Sequence, residues 1–305
     1  MSYCLYQSRK AFIGFFFLLV SFLSFASNPI VTENALPGTA PSVWDISGAG
    51  DLSIQGFATD LSVDKEETIH FKISVTGAQT NYSITIYRMG YYQGNGAREI
   101  ISLGSFSGVS QPAPINDPVT GLNDCGNWTE SASWLVPATA VSGIYFAKLT
   151  RADNNGSSHL FFVVRDDGTP TDLLFKTSDA TWQAYNIYGG KSLYTGTGGK
   201  ASKVSYNRPF VTRGGGGGGG PEEDFIFNAE YPMVRWLERN GYNLSYTTDL
   251  DMDRDPTVIT PSLHKVLLSV GHDEYWSLAE RNKFETARNN GVHLAFFSGN
   301  EVYWK

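Results

Sequence analysis

The 305-residue chain is 41% hydrophobic and 14% aromatic, which sustains packed cores and excludes a disordered polymer. Its formal charge is −7, from 23 basic and 30 acidic residues, and there is no long basic run; this argues against a nucleic-acid partner. The length allows about two domains of roughly 150 residues each. In chain order, Arg9 and Lys10 precede an apolar run from Ala11 to Ala26 that closes on Ser24-Phe25-Ala26. A basic start, an apolar middle and small residues at the end mark residues 1–26 as a secretory signal peptide. The run is short for a transmembrane anchor, and no later segment is apolar enough to span. The expected location is therefore secreted or periplasmic, with no membrane association after cleavage.

Residues 27–43 are polar and Pro-rich and read as a linker. Residues 44–168 then follow a β rhythm. Seven strands are predicted: Ser53–Thr59, Thr68–Val75, Ser83–Met89, Glu99–Leu103, Ser131–Val136, Gly143–Thr150 and Ser158–Val164. The clearest alternation sets Ile69, Phe71, Ile73 and Val75 against His70, Lys72 and Ser74. Short strands separated by turn-rich segments indicate a β-sandwich of immunoglobulin or fibronectin type. Ala152-Asp153-Asn154-Asn155-Gly156 is a hairpin turn signal. With Cys4 lost in the leader, Cys125 would be the one thiol left, so no intramolecular disulfide is expected. It lies in a loop sequence without a neighbouring His and reads as a bland thiol rather than a nucleophile. Asn81, Asn127, Asn155 and Asn243 begin glycosylation sequons.

Beyond the junction at Asp166–Pro170 the rhythm changes, and residues 169–305 read as a doubly wound α/β domain on a parallel sheet. Strands are expected at Asp172–Thr177, Asn243–Thr248, Val266–Val270 and Val292–Phe297. A helix over Glu230–Asn240 presents Met233, Trp236 and Leu237 on one face and is capped by Gly241. A second runs from its Ser277 cap to Asn290, with Gly291 as its stop. Gly214–Gly220 reads as a mobile loop, more simply a tolerated insertion than an active-site lid. Because such a sheet usually continues with a helix, the α/β domain is expected to be incomplete at Lys305.

Open α/β sheets bind ligands beyond the carboxyl ends of their strands. Four such ends carry polar and aromatic clusters: Trp182–Asn186, Thr247–Asp251, His272–Tyr275 and Ser298–Glu301. The nucleophile-elbow, dinucleotide, Walker A and HExxH signatures are absent, which disfavours those chemistries. His272 and Glu274, two apart, point the same way from extended backbone. Together with nearby tyrosines they suggest either imidazole–carboxylate acid/base work or an oxygen-rich metal site. A purely structural pair, with His272 capping backbone and Glu274 in an ion pair, fits the spacing equally well.

The motifs TWQAYNIYGGKSLY, VSYNRP, EYPMVRWLERNGYNLSYTTDLD, LLSVGHDEYWS and GVHLAFFSGNEVYW, collinear over 170–305, resemble the C-terminal domain of the N,N-dimethylformamidase large (beta) subunit family. RMGYYQGNGAR and SGIYFAKL resemble the β-rich module that precedes it. The resemblance implies a mononuclear Fe(III) centre held by two tyrosines and a glutamate, here Tyr185, Tyr194 and Glu274, with Tyr188 and Tyr206 as alternative tyrosines. It implies His272 as the proton-transfer group and Glu274 as a ligand in catalysis. Asn186, Asp273, Asn300 and Glu301 are the expected pocket residues. The leader is a departure from the cytoplasmic amidase, which works with a small subunit. The expected function is iron-dependent hydrolysis of a C–N amide bond in a small-molecule substrate. The competing expectation is an extracellular carbohydrate-binding or surface module without catalysis, favoured by the seven Trp and 16 Tyr. N-terminal sequencing of exported protein should begin at Ser27, and an intact Met1 in that material would refute the leader.

Overall fold

The computed structural model describes residues 28–77, 80–211 and 225–305, so the leader and the glycine run lie outside it. The described chain is mostly β strands in several sheets, with short helices between them. The first surprise is the stretch expected to be a linker. It forms α1 (Pro29–Asn34) and α2 (Pro41–Trp44), each opening on a proline whose fixed φ suits a first helical turn. Asn28 caps α1 by accepting from the Ile30 amide at 3.0 Å, and its Nδ2 donates to Gly241 O at 2.8 Å. Ile30 and Trp44 are buried, Trp44 against Phe146 and Phe227. A few well-placed apolar residues thus dock a segment whose average composition is that of a tether.

Next come β1 (Ile54–Ala58), β2 (Ser62–Val63), β3 (Thr68–Val75), β4 (Asn81–Met89), β5 (Ala97–Ser107), β6 (Ile115–Asp117), β7 (Leu122–Asp124), β8 (Ala132–Leu135), β9 (Gly143–Arg151) and β10 (Ser157–Val164). One antiparallel sheet runs β1-β3-β8; a second runs β2-β10-β9-β4-β5, antiparallel except for the parallel β2–β10 pair; and β6-β7 is a separate hairpin. The seven predicted strands are all present, and the short β2, β6 and β7 fall in stretches that read as turns. Ile69, Phe71 and Ile73 of the first sheet share a core with Ile84, Ile86, Leu149 and Phe162 of the second. Each such buried side chain contributes roughly 1.5–3 kcal/mol. Between β9 and β10 the expected turn forms, with Asn155 at φ +59° and Arg151 bracketing Asp153 at 2.7 and 2.9 Å.

The second half contains β11 (Thr171–Lys176), α3 (Asp179–Tyr185), α4 (Glu230–Arg239), β12 (Leu244–Thr247), α5 (Asp249–Arg254), β13 (His264–His272), α6 (Leu278–Asn289) and β14 (His293–Gly299). Its strands are all parallel, in the order β12-β11-β13-β14. The chain leaves β11 toward one edge and returns to β13 on the other side. The ends of β11 and β13 are therefore neighbours whose following segments diverge. Two helices, α3 and α5, were not anticipated. The aspartates after β12 read as an acidic run, yet Thr248 and Asp251 form a capping box, with amide bonds of 3.0 and 3.1 Å, that starts α5. On α4 Leu237 is buried and Met233 packs on the core as expected, but Trp236 is corrected: it is 53% exposed and stacks on Tyr242, while Glu230, Val234 and Glu238 complete the buried stripe. That stripe has helical spacing, but two of its positions are acids that hydrophobicity counts as outward.

The two halves share one core, in which Tyr87, Phe146 and Phe161 meet Phe175, Val234, Leu237 and Tyr246. Inside it, Arg88 grips Glu238 bidentately at 2.8 and 2.9 Å, both side chains fully buried. Tyr246 Oη and Asn34 Nδ2, each at 2.7 Å, also donate to Glu238. Arg88→Met would strand that carboxylate in the interior and should cost about 3–5 kcal/mol in chemical denaturation. A loss of about 1 kcal/mol or less, typical of a surface pair, would contradict this account.

Candidate functional site

Gly271 sets the geometry at the end of β13. Its φ is +107°, and a Cβ there would lie 2.7 Å from Glu230 Oε1, so a side chain is barred twice over. Glu230 Oε1 also accepts from the Ser178 amide at 3.1 Å and from Trp182 Nε1 at 2.8 Å, which ties α3 and α4 to the strand ends. Burial pushes the Glu230 carboxyl up to about 7. One step further, the Glu274 amide donates to Thr181 Oγ1 at 3.0 Å, and Tyr185 lies one helical turn beyond Thr181.

This scaffold brings His272, Glu274, Tyr185, Tyr194 and Asn300 together. Tyr185 Oη donates to Glu274 Oε2 at 3.0 Å, and His272 Nε2 lies 3.6 Å from the same oxygen. Asn300 Nδ2 is 3.0 Å from His272 Nε2. The Tyr185 and Tyr194 rings stack with centroids 4.2 Å apart. Tyr275, absent from the sequence-based set, donates its hydroxyl to Tyr194 Oη at 2.8 Å. Burial, reinforced by these hydroxyl and carboxyl neighbours, raises the Tyr194 and Tyr275 phenols well above their usual range. Two phenol oxygens and a carboxylate thus converge as a hard donor set suited to an oxygen-seeking cation, with an imidazole at its edge.

Three expected pocket residues serve elsewhere. Asp273 is fully buried beneath the site, held by Lys176 Nζ at 2.7 Å and by Ser269. Asn186 is buried too; it donates to Pro209 O at 2.8 Å and accepts from the amides of Tyr188 and Val211 at 3.2 Å. Glu301 accepts from Ser298 and borders a separate groove with Trp276 and Phe284. Of the alternative tyrosines, Tyr206 donates to Asp179 at 2.9 Å, and Tyr188 packs near Cys125, Phe57 and Trp128. Side chains of alternate residues do point one way, so Asp273 between His272 and Glu274 has to face the interior.

Under the site lies an ionic cluster that sequence reasoning missed. Lys176, at the end of β11 and fully buried, reaches Asp249, Asp273 and Glu280, the last at 2.9 Å, and sits 5.1 Å from the Trp276 ring centroid. Burial alone would depress its pKa, but the three carboxylates outweigh burial and hold the ammonium charged. Glu280, pushed up to about 9, and Asp249, also raised, respond first to burial, against the pull of Lys176.

Loop 186–207, which carries Tyr194, is pinned from the other half of the molecule. Ser202 N donates to Thr120 O at 2.7 Å, the Cys125 amide to Asn207 O at 2.7 Å, and Ser205 Oγ to Asp124. The β6-β7 hairpin and the turn after it therefore brace one tyrosine of the site.

Residues 83–305 match a family model described as N,N-dimethylformamidase beta subunit-like, C-terminal. The N,N-dimethylformamidase beta subunit of an Alcaligenes species is 23% identical over 218 residues, covering 60% of this chain and 28% of that protein. The chain thus spans little more than a quarter of that curated relative. Among solved structures, an AA10 lytic polysaccharide monooxygenase from Streptomyces lividans matches 34% of this chain and 56% of its own, at 13% identity and a TM-score of 0.19. A cellulose-active polysaccharide monooxygenase from M. thermophila matches 35% and 53%, at 16% identity and the same TM-score. Both likenesses are too slight to bear on the fold.

Cys125 is buried with Phe57 and Trp128, and burial pushes its thiol up to about 11. Thiolate is the reactive form, so burial and this shift both silence it. Native protein at about pH 8 should resist maleimide until unfolded. Fast labelling of the native state, read by mass spectrometry, would contradict the placement.

Proposed function

Because the chain belongs to the N,N-dimethylformamidase beta subunit-like, C-terminal family, we propose that it is a hydrolase of amide C–N bonds built around one ferric ion. The observation that carries this reading is that Tyr185, Tyr194 and Glu274 come together beyond the neighbouring ends of β11 and β13. The donor set fits the ion: Tyr185 Oη lies 3.0 Å from Glu274 Oε2, the Tyr194 ring stacks on Tyr185, and ionising the Tyr194 phenol that burial keeps neutral requires a cation beside it. Tyr185, Tyr194 and Glu274 would hold it. When bound, such an ion supplies Lewis acidity toward an amide carbonyl and acidity to water.

The chain's own groups do the rest. His272, beside Glu274 and Asn300, takes the proton of the attacking water and returns it to the departing amine. Asn300 and Glu274 orient the imidazole, and the Tyr185–Tyr194 stack forms one side of the site. In this reading the first half is an immunoglobulin-like sandwich and the second a doubly wound domain with its pocket at the switch point. Export is part of the proposal and rests on Arg9, Lys10 and the run ending at Ala26.

Protein supplied with ferric iron should bind one ion and show a visible phenolate absorption. Glu274→Ala should lose metal and colour, and Tyr194→Phe should bleach or shift the band with the fold intact. His272→Ala should keep the ion and lose amide hydrolysis by about 10²–10⁴-fold. A colourless protein without iron by elemental analysis would sink the reading.

A further inference from the structure

We propose that Tyr275 is a positioning residue whose hydroxyl holds and polarises the Tyr194 oxygen. The inference rests on the iron reading above and adds to it a residue outside the ligand set. Tyr185 and Glu274 enter the site from a helix and a strand end, whereas Tyr194 comes from an irregular loop. Within that loop its placement depends on small local contacts, with its amide donating to Ser192 Oγ at 3.1 Å and the Leu193 amide to Ala184 O at 2.9 Å. A side chain projecting from a loop requires a second fixed point to hold its tip.

Tyr275 supplies that point because its own backbone is clamped on both sides. Trp304 N donates to Glu274 O at 2.9 Å and Trp276 N to Trp304 O at 3.1 Å, closing a parallel bridge between Tyr275 and Trp304. From this support the Tyr275 ring meets Tyr194 edge-on, with centroids 6.4 Å apart and planes at 80°, and the hydroxyls are 2.8 Å apart. An ionised Tyr194 oxygen can only accept hydrogen bonds, so the shared proton must come from Tyr275. That bond fixes where the tip of Tyr194 lies and draws electron density from its oxygen.

Tyr275→Phe removes the hydroxyl alone. Loaded with ferric iron, this variant should still bind one ion, about 10-fold or more weakly. Its phenolate absorption should move to longer wavelength, because Tyr194 becomes the stronger electron donor. In a Tyr194→Phe background the same change should produce no further shift, since Tyr275 acts through Tyr194. Tyr275→His, which can still offer a ring N–H, should restore part of the wild-type band and answers for the case in which the Phe variant misfolds. Wild-type protein that takes up no iron overturns both the proposed function and this inference. Coloured wild type with a Tyr275→Phe variant of identical band and affinity overturns this inference alone. Loss of iron as complete as in Glu274→Ala makes Tyr275 a ligand and also overturns the positioning role.

Discussion

The ammonium of Lys176 is the point on which the second half closes. It ends β11, and its three carboxylate partners come from α5, from the turn after β13 and from the first turn of α6. Removing charges from water costs several kcal/mol per ion, so a cluster of this kind persists only where attraction and hydrogen bonding offset that cost. Geometry provides the offset, since one fully buried ammonium meets three carboxylate oxygens at hydrogen-bonding range. Because Asp273 is anchored downward, its neighbours His272 and Glu274 are held on the opposite side. The placement of His272 and Glu274 is thus inherited from an ion pair buried beneath them.

The parts of the fold that follow from period and punctuation are legible in the sequence. The β3 alternation, the Asn155 turn, the apolar run of β13 and the Ser277 and Gly291 ends of α6 each reflect a local rule that packing then obeys. What hides is whatever depends on partners distant in the chain. Glu230 and Glu238 look like surface acids until Trp182 and Arg88 are seen beside them. The segment 28–44 looks like a tether until Ile30 and Trp44 are seen in the core. The site follows the same division. His272 and Glu274 share a strand end and are visible from spacing, and Tyr185 and Tyr194 come from motif resemblance. Tyr275 looks like one more aromatic, because only the path of a separate loop brings Tyr194 to it.

The boundary near Gly168 is a boundary of rhythm rather than of packing. Tyr87, Phe146 and Phe161 lie in the same apolar cluster as Phe175 and Tyr246, and the Arg88–Glu238 pair sits in that cluster's polar heart. Such an interface resembles a domain interior more than a docking face, and the halves are coupled accordingly.

The brace from the β6-β7 hairpin to loop 186–207 changes what counts as the heritable unit. If Tyr194 owes its place to Thr120, Asp124 and Cys125, a parallel sheet transplanted alone would carry only part of its own pocket. Recombination between relatives would then be penalised at crossovers between β7 and loop 186–207. The matched region opens at residue 83, inside β4, and keeps the hairpin and the sheet in one piece. The strand-rich half is thus less a neighbour of Tyr194 than one of its supports.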